Sequence, residues 1–391
     1  MMKKTSVFVL CAMCAGMLFL SARAFAEEVK VDLKTLLPKD SALVIGVDAP
    51  GLMSSDVYAL LKDRVFSGVK EDYSIVESFL NKSGLIVKRT KDKEVVFSGP
   101  EIILVKRSLT VAKDDTSALL LGVFKADQME TIAKAAGVAL KAQIPSTEED
   151  GKKIFVFKGV FQKDEAIYAA QLSANIIAMS PNKQDVLDYI KRLATPPEAA
   201  NAVPDEMMKV IETARKDATV WAAAYIDEKR RAEFKGSKDQ NETMLQFVKS
   251  VSLKIQMLKP DKDTKKGGAD VTIECEYADL NAGAFLVVAL NKLRERVILA
   301  FEDPVIKQVF SEPSTTITQN AGDQKVKVVM KASHEGCQHL IDQFGNLLGV
   351  EKPKPPEAKG TGTPAPPAGP GTPPTTAPAP GTAPAGQKPP A

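Results

Sequence analysis

Val271-Thr272-Ile273-Glu274-Cys275-Glu276-Tyr277-Ala278-Asp279 alternates apolar and polar side chains and then stops at an alanine and a helix-capping aspartate. Alternation with period two is the mark of a strand with one face buried, and Asp279 opens the apolar segment 280–301 as a helix. Earlier in the chain, Ala118 to Phe124 reads as another such strand, and Phe124-Lys125-Ala126-Asp127 leads from it into a helix. The two passages hold the same place in two similar series of elements.

The first series has strands at 42–47, 101–106 and 118–124, with a helix over 55–66 between the first two. After the helix that starts at Ala126-Asp127 come strands at 153–157, 166–172 and 175–179 and a helix over 184–193. The second has strands at 219–226, 251–258 and 270–277, the helix 280–301, a strand at 325–330, and a helix capped by Ser333 that runs to Leu348. Thr195-Pro196-Pro197 separates the series, and a short helix over 205–216 follows it. The strands alternate and short charged loops such as 259–268 join them, which points to antiparallel pairing. The expected fold is α+β: two divergent tandem units of mainly antiparallel sheet, helices packed on one face, spanning 27–195 and 218–350 with a linker and short helix at 196–217.

Outside the units the composition changes. Lys3 and Lys4 precede the apolar run Val7 to Leu20 and Ala24-Phe25-Ala26 follows it, the pattern of a signal peptide over 1–26. Residues 351–391 are almost wholly Pro, Ala, Gly and Thr, a composition that favours a disordered, extended tail over a packed core. The whole chain of 391 residues carries a net charge of +3. Loss of Lys3, Lys4 and Arg23 with the signal brings it to zero, so no broad field attracts nucleic acid. After cleavage no segment is long and apolar enough to span a membrane. The expected location is exported, periplasmic or extracellular.

Leu37-Pro38-Lys39-Asp40-Ser41-Ala42-Leu43-Val44-Ile45-Gly46-Val47-Asp48 is similar to the opening of exported bacterial proteins of unknown function whose folded part begins with L-P-x-D and a strand. The resemblance implies an envelope or secreted α+β protein and assigns no functional residue.

Candidate chemistry is sparse. Ser67-Gly68-Val69-Lys70 has the S-x-x-K form of penicillin-binding enzymes, but Lys82-Ser83-Gly84 and Ser173-Ala174-Asn175 stand in the wrong order to complete it. His334 and His339, the chain's two histidines, are one residue out of register for H-E-x-x-H and diverge by roughly 140° on a helix. Asp261-Lys262-Asp263 lacks the glutamate a calcium loop needs at Thr272. No catalytic, cofactor-binding or metal-ligating residue is assigned.

Cys275 and Cys337 are the cysteines left after cleavage, both on apolar faces. A disulfide between them would add roughly 4 kcal/mol by restricting the unfolded chain. Two separate thiols are the alternative, since free cysteine is a favoured core residue. These features lead to the expectation of a non-enzymatic binding or scaffolding protein whose partner is an envelope component. The alternatives are a hydrolase or metal-dependent enzyme without a linear motif, and a carrier whose helix 280–301 floors a groove for a hydrophobic ligand.

Overall fold

A computed structural model describes residues 31–62, 82–83, 85, 87–91, 94–109, 116–158, 166–195, 202–235, 243, 245–258, 266–320 and 322–347. The expected signal peptide and tail, the S-x-x-K sequence and the 261–263 loop lie outside them.

The first unit comprises α1 (Leu33–Leu36), β1 (Leu43–Val47), α2 (Ala49–Met53), α3 (Asp56–Leu61), β2 (Val87–Lys91), β3 (Glu94–Ser98), β4 (Glu101–Lys106) and β5 (Thr116–Leu121). It continues with α4 (Gln128–Leu140), β6 (Ser146–Glu149), β7 (Lys152–Lys158), β8 (Ala166–Ser173), β9 (Ile176–Ser180) and α5 (Lys183–Ala194). Helix α6 (Asp205–Arg215) then leads to the second unit. That unit holds β10 (Val220–Tyr225), α7 (Glu228–Phe234), β11 (Val248–Met257), β12 (Ala269–Tyr277), α8 (Leu280–Ala300), α9 (Pro304–Phe310), β13 (Thr315–Asn320), β14 (Lys325–Ala332) and α10 (His334–Leu347).

Apart from the β2-β3 hairpin, the strands form one antiparallel sheet of twelve, ordered β13-β14-β12-β11-β10-β1-β4-β5-β9-β8-β7-β6. Reading outward from the β1/β10 pair, β1-β4-β5-β9-β8 and β10-β11-β12-β14-β13 repeat the same topology in opposite directions. The tandem organisation is thus two units sharing a sheet, and β7 with β6 extends the first unit beyond the repeat.

At the junction Leu43 pairs with Ala224 and Gly46 with Trp221. The Trp221 side chain is 1% exposed and covers Gly46 so closely that a Cβ there would lie 2.0 Å from Cε2. Its Nε1 donates to Glu101 Oε1 (3.2 Å), and Arg215 from α6 grips the same carboxylate with two donors at 3.0 and 2.5 Å. The L-P-x-D segment serves the same region. Asp40 meets Arg107 at 3.7 Å, and its carbonyl accepts from Arg230 of α7 (2.6 Å).

The strand alternation divides the core between two faces. On one face Val44, Ile103, Leu119 and Ala178 pack with Leu36 of α1, Tyr189 of α5 and Met207 and Ile211 of α6. On the other, Val47, Ile102, Leu104, Leu120 and Ile177 meet Leu52 of α2 and Met129, Ile132 and Ala136 of α4. Helices on one face describe the second unit, where α8, α9 and α10 share the face of Ala269, Tyr277, Val326 and Ala332. The first unit departs from that expectation, because both of its faces are apolar and both are covered. Likewise the helix in the expected linker is core: Met207, Ile211 and Ala214 are at most 1% exposed.

The last helices of the two units also take opposite faces, for a reason visible in the strands before them. β9 offers Ile176 and Ala178 to the α5 side, whereas the matching side of β14 carries Lys325, Lys327 and Lys331. An apolar helix has nothing to pack on there. α10 turns instead to the side of Met330 and Ala332, burying Cys337 and Ile341.

Candidate functional site

The face that α5 covers in the first unit is therefore open in the second. Three neighbouring strands present polar side chains on it in register. Ser250, Glu276 and Lys325 form one row across β11, β12 and β14; Ser252, Glu274 and Lys327 form the next; Lys254, Thr272 and Val329 the third. Adjacent strands lie about 4.8 Å apart, so a column of glutamates stands between columns of lysine and of serine. A register shift between Val248 and Ser250 brings Lys249 out of alternation onto the same side. Lys327 meets Glu274 at 2.9 Å and Lys249 meets Glu276 at 3.3 Å.

Walls turn this face into a groove. Glu206, Lys209, Val210 and Thr213 recur on one side of α6 at helical spacing, while Met207, Ile211 and Ala214 anchor the helix from its other side. Glu228 and Arg231 of α7 close one end. These residues and the sheet enclose about 550 Å³, and a second hollow of about 240 Å³ continues along Lys254, Gln256, Asp270 and Thr272. The larger hollow is lined by four acidic side chains (Glu206, Glu228, Glu274, Glu276) and four basic ones (Lys209, Arg231, Lys249, Lys325). Tyr225 lies among them, its hydroxyl pKa raised first by burial and then by Glu206. The lining is a mixed array of donors, acceptors and both charges, suited to ion pairing and hydrogen bonding. Among the described residues the lining has no histidine or cysteine.

The residues singled out from sequence lie elsewhere and apart. His339 Nδ1 contacts Asp303 Oδ2 at 2.6 Å, which holds the Asp303 carboxyl below its ordinary pKa. Asp303 also caps α9 by accepting from the N–H groups of Val305 and Ile306, so the pair staples α9 to α10. His334 Nδ1 is buried without a hydrogen-bond partner. Among the described residues no three His, Cys, Asp or Glu side chains are grouped to hold a metal ion. Ser173 and Asn175 form the β8-β9 turn, where Asn175 N donates to Ser173 Oγ (3.1 Å) and its side chain to Gly122 O (3.0 Å). In α8, Ala282 and Leu286 are buried against the sheet, while Phe285 and Val288 are half-exposed.

Of the two arrangements open to Cys275 and Cys337, the structure has the two free thiols. Cys337 Sγ lies 3.8 Å from Ala332 O, and Ala332 pairs with Ala269. Cys275 sits six residues further along β12, opposite Val326, hence about 20 Å away. A disulfide needs Cα atoms about 6 Å apart. Both cysteines do face the same core, but at different ends of it. Burial raises both thiols to a pKa of about 11, so at pH 8 only about one in a thousand is thiolate. The folded protein without residues 1–26 should resist iodoacetamide at pH 8, and the unfolded protein should take up two labels with no reductant added. Mass spectrometry showing no label on the unfolded chain would mean a disulfide.

The groove escaped sequence reading because each strand shows only an ordinary solvent-side pattern: S-x-S-x-K, E-x-E and K-x-K. Nothing local says that these three are neighbours. No protein-family model, no curated protein and no solved structure matches this chain.

Proposed function

We propose that the protein is an exported, non-enzymatic binding protein of the cell envelope or its surroundings, and that the groove of the second unit takes an elongated ligand bearing both charges. The carrying observation is the contrast between equivalent faces. In one unit the face is apolar and covered; in the other it bears Ser250, Ser252, Glu274, Glu276, Lys325 and Lys327 and lies open between helical walls. A solvated sheet face alone is common in antiparallel proteins. The walls supplied by α6 and α7 are what make this one a site.

Export is supported by the n-region, apolar run and Ala-x-Ala sequence of residues 1–26 and by the resemblance of residues 37–48. The Pro-rich segment 351–391 fits a tether. A mixed-charge lining suits an extended peptide, whose side chains on one face repeat about every 6.8 Å, the spacing from Glu274 to Glu276 along β12.

A suitable probe is an octapeptide of Lys-Lys-Glu-Glu repeats, which in extended form shows both charges on each face. By isothermal titration at low salt it should bind at least about fivefold more tightly than all-Lys or all-Glu octapeptides, each of which meets four like charges. Its affinity should fall as salt is added. Equal or undetectable binding of all three would sink this reading.

A further inference from the structure

The sheet ends in two edge strands, and they are unlike. β6 reads S-T-E-E, follows Pro145, and sets Glu148 and Glu149 on its edge. Charge, shortness and a nearby proline are the usual means by which proteins keep an edge from pairing with another strand. β13 reads T-T-I-T-Q-N: six residues with no charge and no proline within the strand, Pro313 lying two residues before it, and β-branched side chains at four positions.

The ladder identifies which backbone groups of β13 are open. Lys331 N donates to Ser314 O (2.8 Å), one step beyond the pair Thr315 and Met330. Hydrogen-bonded pairs alternate in an antiparallel ladder, so Thr316, Thr318 and Asn320 direct their N–H and C=O groups to β14, and Thr315, Ile317 and Gln319 direct theirs outward. Thr315 is already engaged: its N–H donates to Ser311 O (2.9 Å) and its C=O accepts from Arg294 Nη1 (3.4 Å). Ile317 and Gln319 remain, each with one donor and one acceptor facing away from the sheet.

We propose that this edge pairs with the same edge of a second copy of the chain, antiparallel about a two-fold axis at Thr318. Ile317 of each copy then exchanges N–H···O=C bonds with Gln319 of the other, four bonds in all, which uses every open group of β13 in both copies. Thr318 faces its own counterpart, and an uncharged strand meets itself without repulsion. β6 paired with itself would bring glutamates together. Because the axis runs through the sheet from face to face, both copies keep their polar grooves on one side, and a long or repetitive ligand could engage the two at once. The pairing itself stands independently of what the groove binds.

Sedimentation equilibrium of the purified protein from about 1 to 200 µM tests this. The expected result is a dimer whose fraction rises with concentration. Thr318 is exposed and lies opposite Lys327, so Thr318→Lys should keep the far-UV spectrum at a small cost in melting temperature while weakening dimerisation at least about tenfold, because two lysines would stand directly opposite each other with Cβ atoms about 5 Å apart. An equimolar mixture of Thr318→Lys and Thr318→Glu should dimerise again. A wild-type protein that stays monomeric throughout the range overturns the proposal. So does a Thr318→Lys variant that dimerises as the wild type does, or a mixture that fails to recover.

Discussion

Gly46→Ala should lower the stability of the whole folded region by about 3 kcal/mol or more, a fall in melting temperature of about 5 to 10 °C. The added methyl would lie 2.0 Å from Trp221 Cε2 and 2.2 Å from both Cζ2 and Nε1, inside the indole rather than against it. The indole has little room to yield. It is 1% exposed, it is packed among Val44, Ile103 and Ile211, and its Nε1 is held by Glu101, which Arg215 grips in turn. Strain of this kind in a closed core costs about 1–3 kcal/mol when neighbours can adjust and more when they cannot. Trp221 is the chain's one tryptophan, so its emission reports on the β1/β10 junction directly. Since that junction joins two units of one sheet, the fluorescence and far-UV circular dichroism transitions should coincide and shift together. Combining Gly46→Ala with Trp221→Leu should recover part of the loss, giving a coupling energy that neither change shows alone. An unchanged melting temperature for Gly46→Ala would mean that the indole does not cover Gly46.

Much of the fold was legible because its elements advertise themselves locally. Alternation marked β11 and β12, caps such as Asp279 and Ser333 marked helix starts, and the parallel placing of residues 124–127 and 276–279 exposed the tandem order. What stayed hidden depends on contacts between segments far apart in sequence. Nothing in Leu43 to Val47 announces Val220 to Tyr225 as its neighbour, yet that pairing fuses the units. Within the helix read over 205–216, Met207, Ile211 and Ala214 recur at helical spacing, the mark of a buried stripe, and its place in the core follows from that stripe. β13 was missed because an edge strand with one half-buried face needs few apolar residues, and Ile317 is its only large one. The choice between a disulfide and two thiols turned on a distance that periodicity cannot supply. Alternation in β12 and the apolar stripe of α10 placed the two side chains inward, while their separation depended on the β12/β14 register and on where α10 packs.

The groove is the extreme case of the same limit. Its glutamates, lysines and serines are each unremarkable as solvent-side residues, and their meaning comes from strand order. Three polar columns become adjacent, and α10 is drawn to the opposite face, only because β14 carries its lysines where β9 carries Ile176 and Ala178.

Replacing Glu274 and Glu276 together by lysine therefore addresses the central claim. The change removes the contacts of Lys327 and Lys249 with these carboxylates and sets lysines opposite Lys327 and Lys325; on a partly exposed face each effect costs about 1 kcal/mol or less, so the protein should remain folded. The lining of the larger hollow, four acidic and four basic side chains in the wild type, becomes two and six. Titrated at low salt, Glu274→Lys/Glu276→Lys should bind the Lys-Lys-Glu-Glu octapeptide at least about tenfold more weakly than the wild type and should bind the all-Glu octapeptide in its place. That reversal of preference separates a lost binding site from mere loss of structure. If the variant binds the mixed peptide as tightly as the wild type does and still ignores the all-Glu peptide, the open face of the second unit is not the binding site.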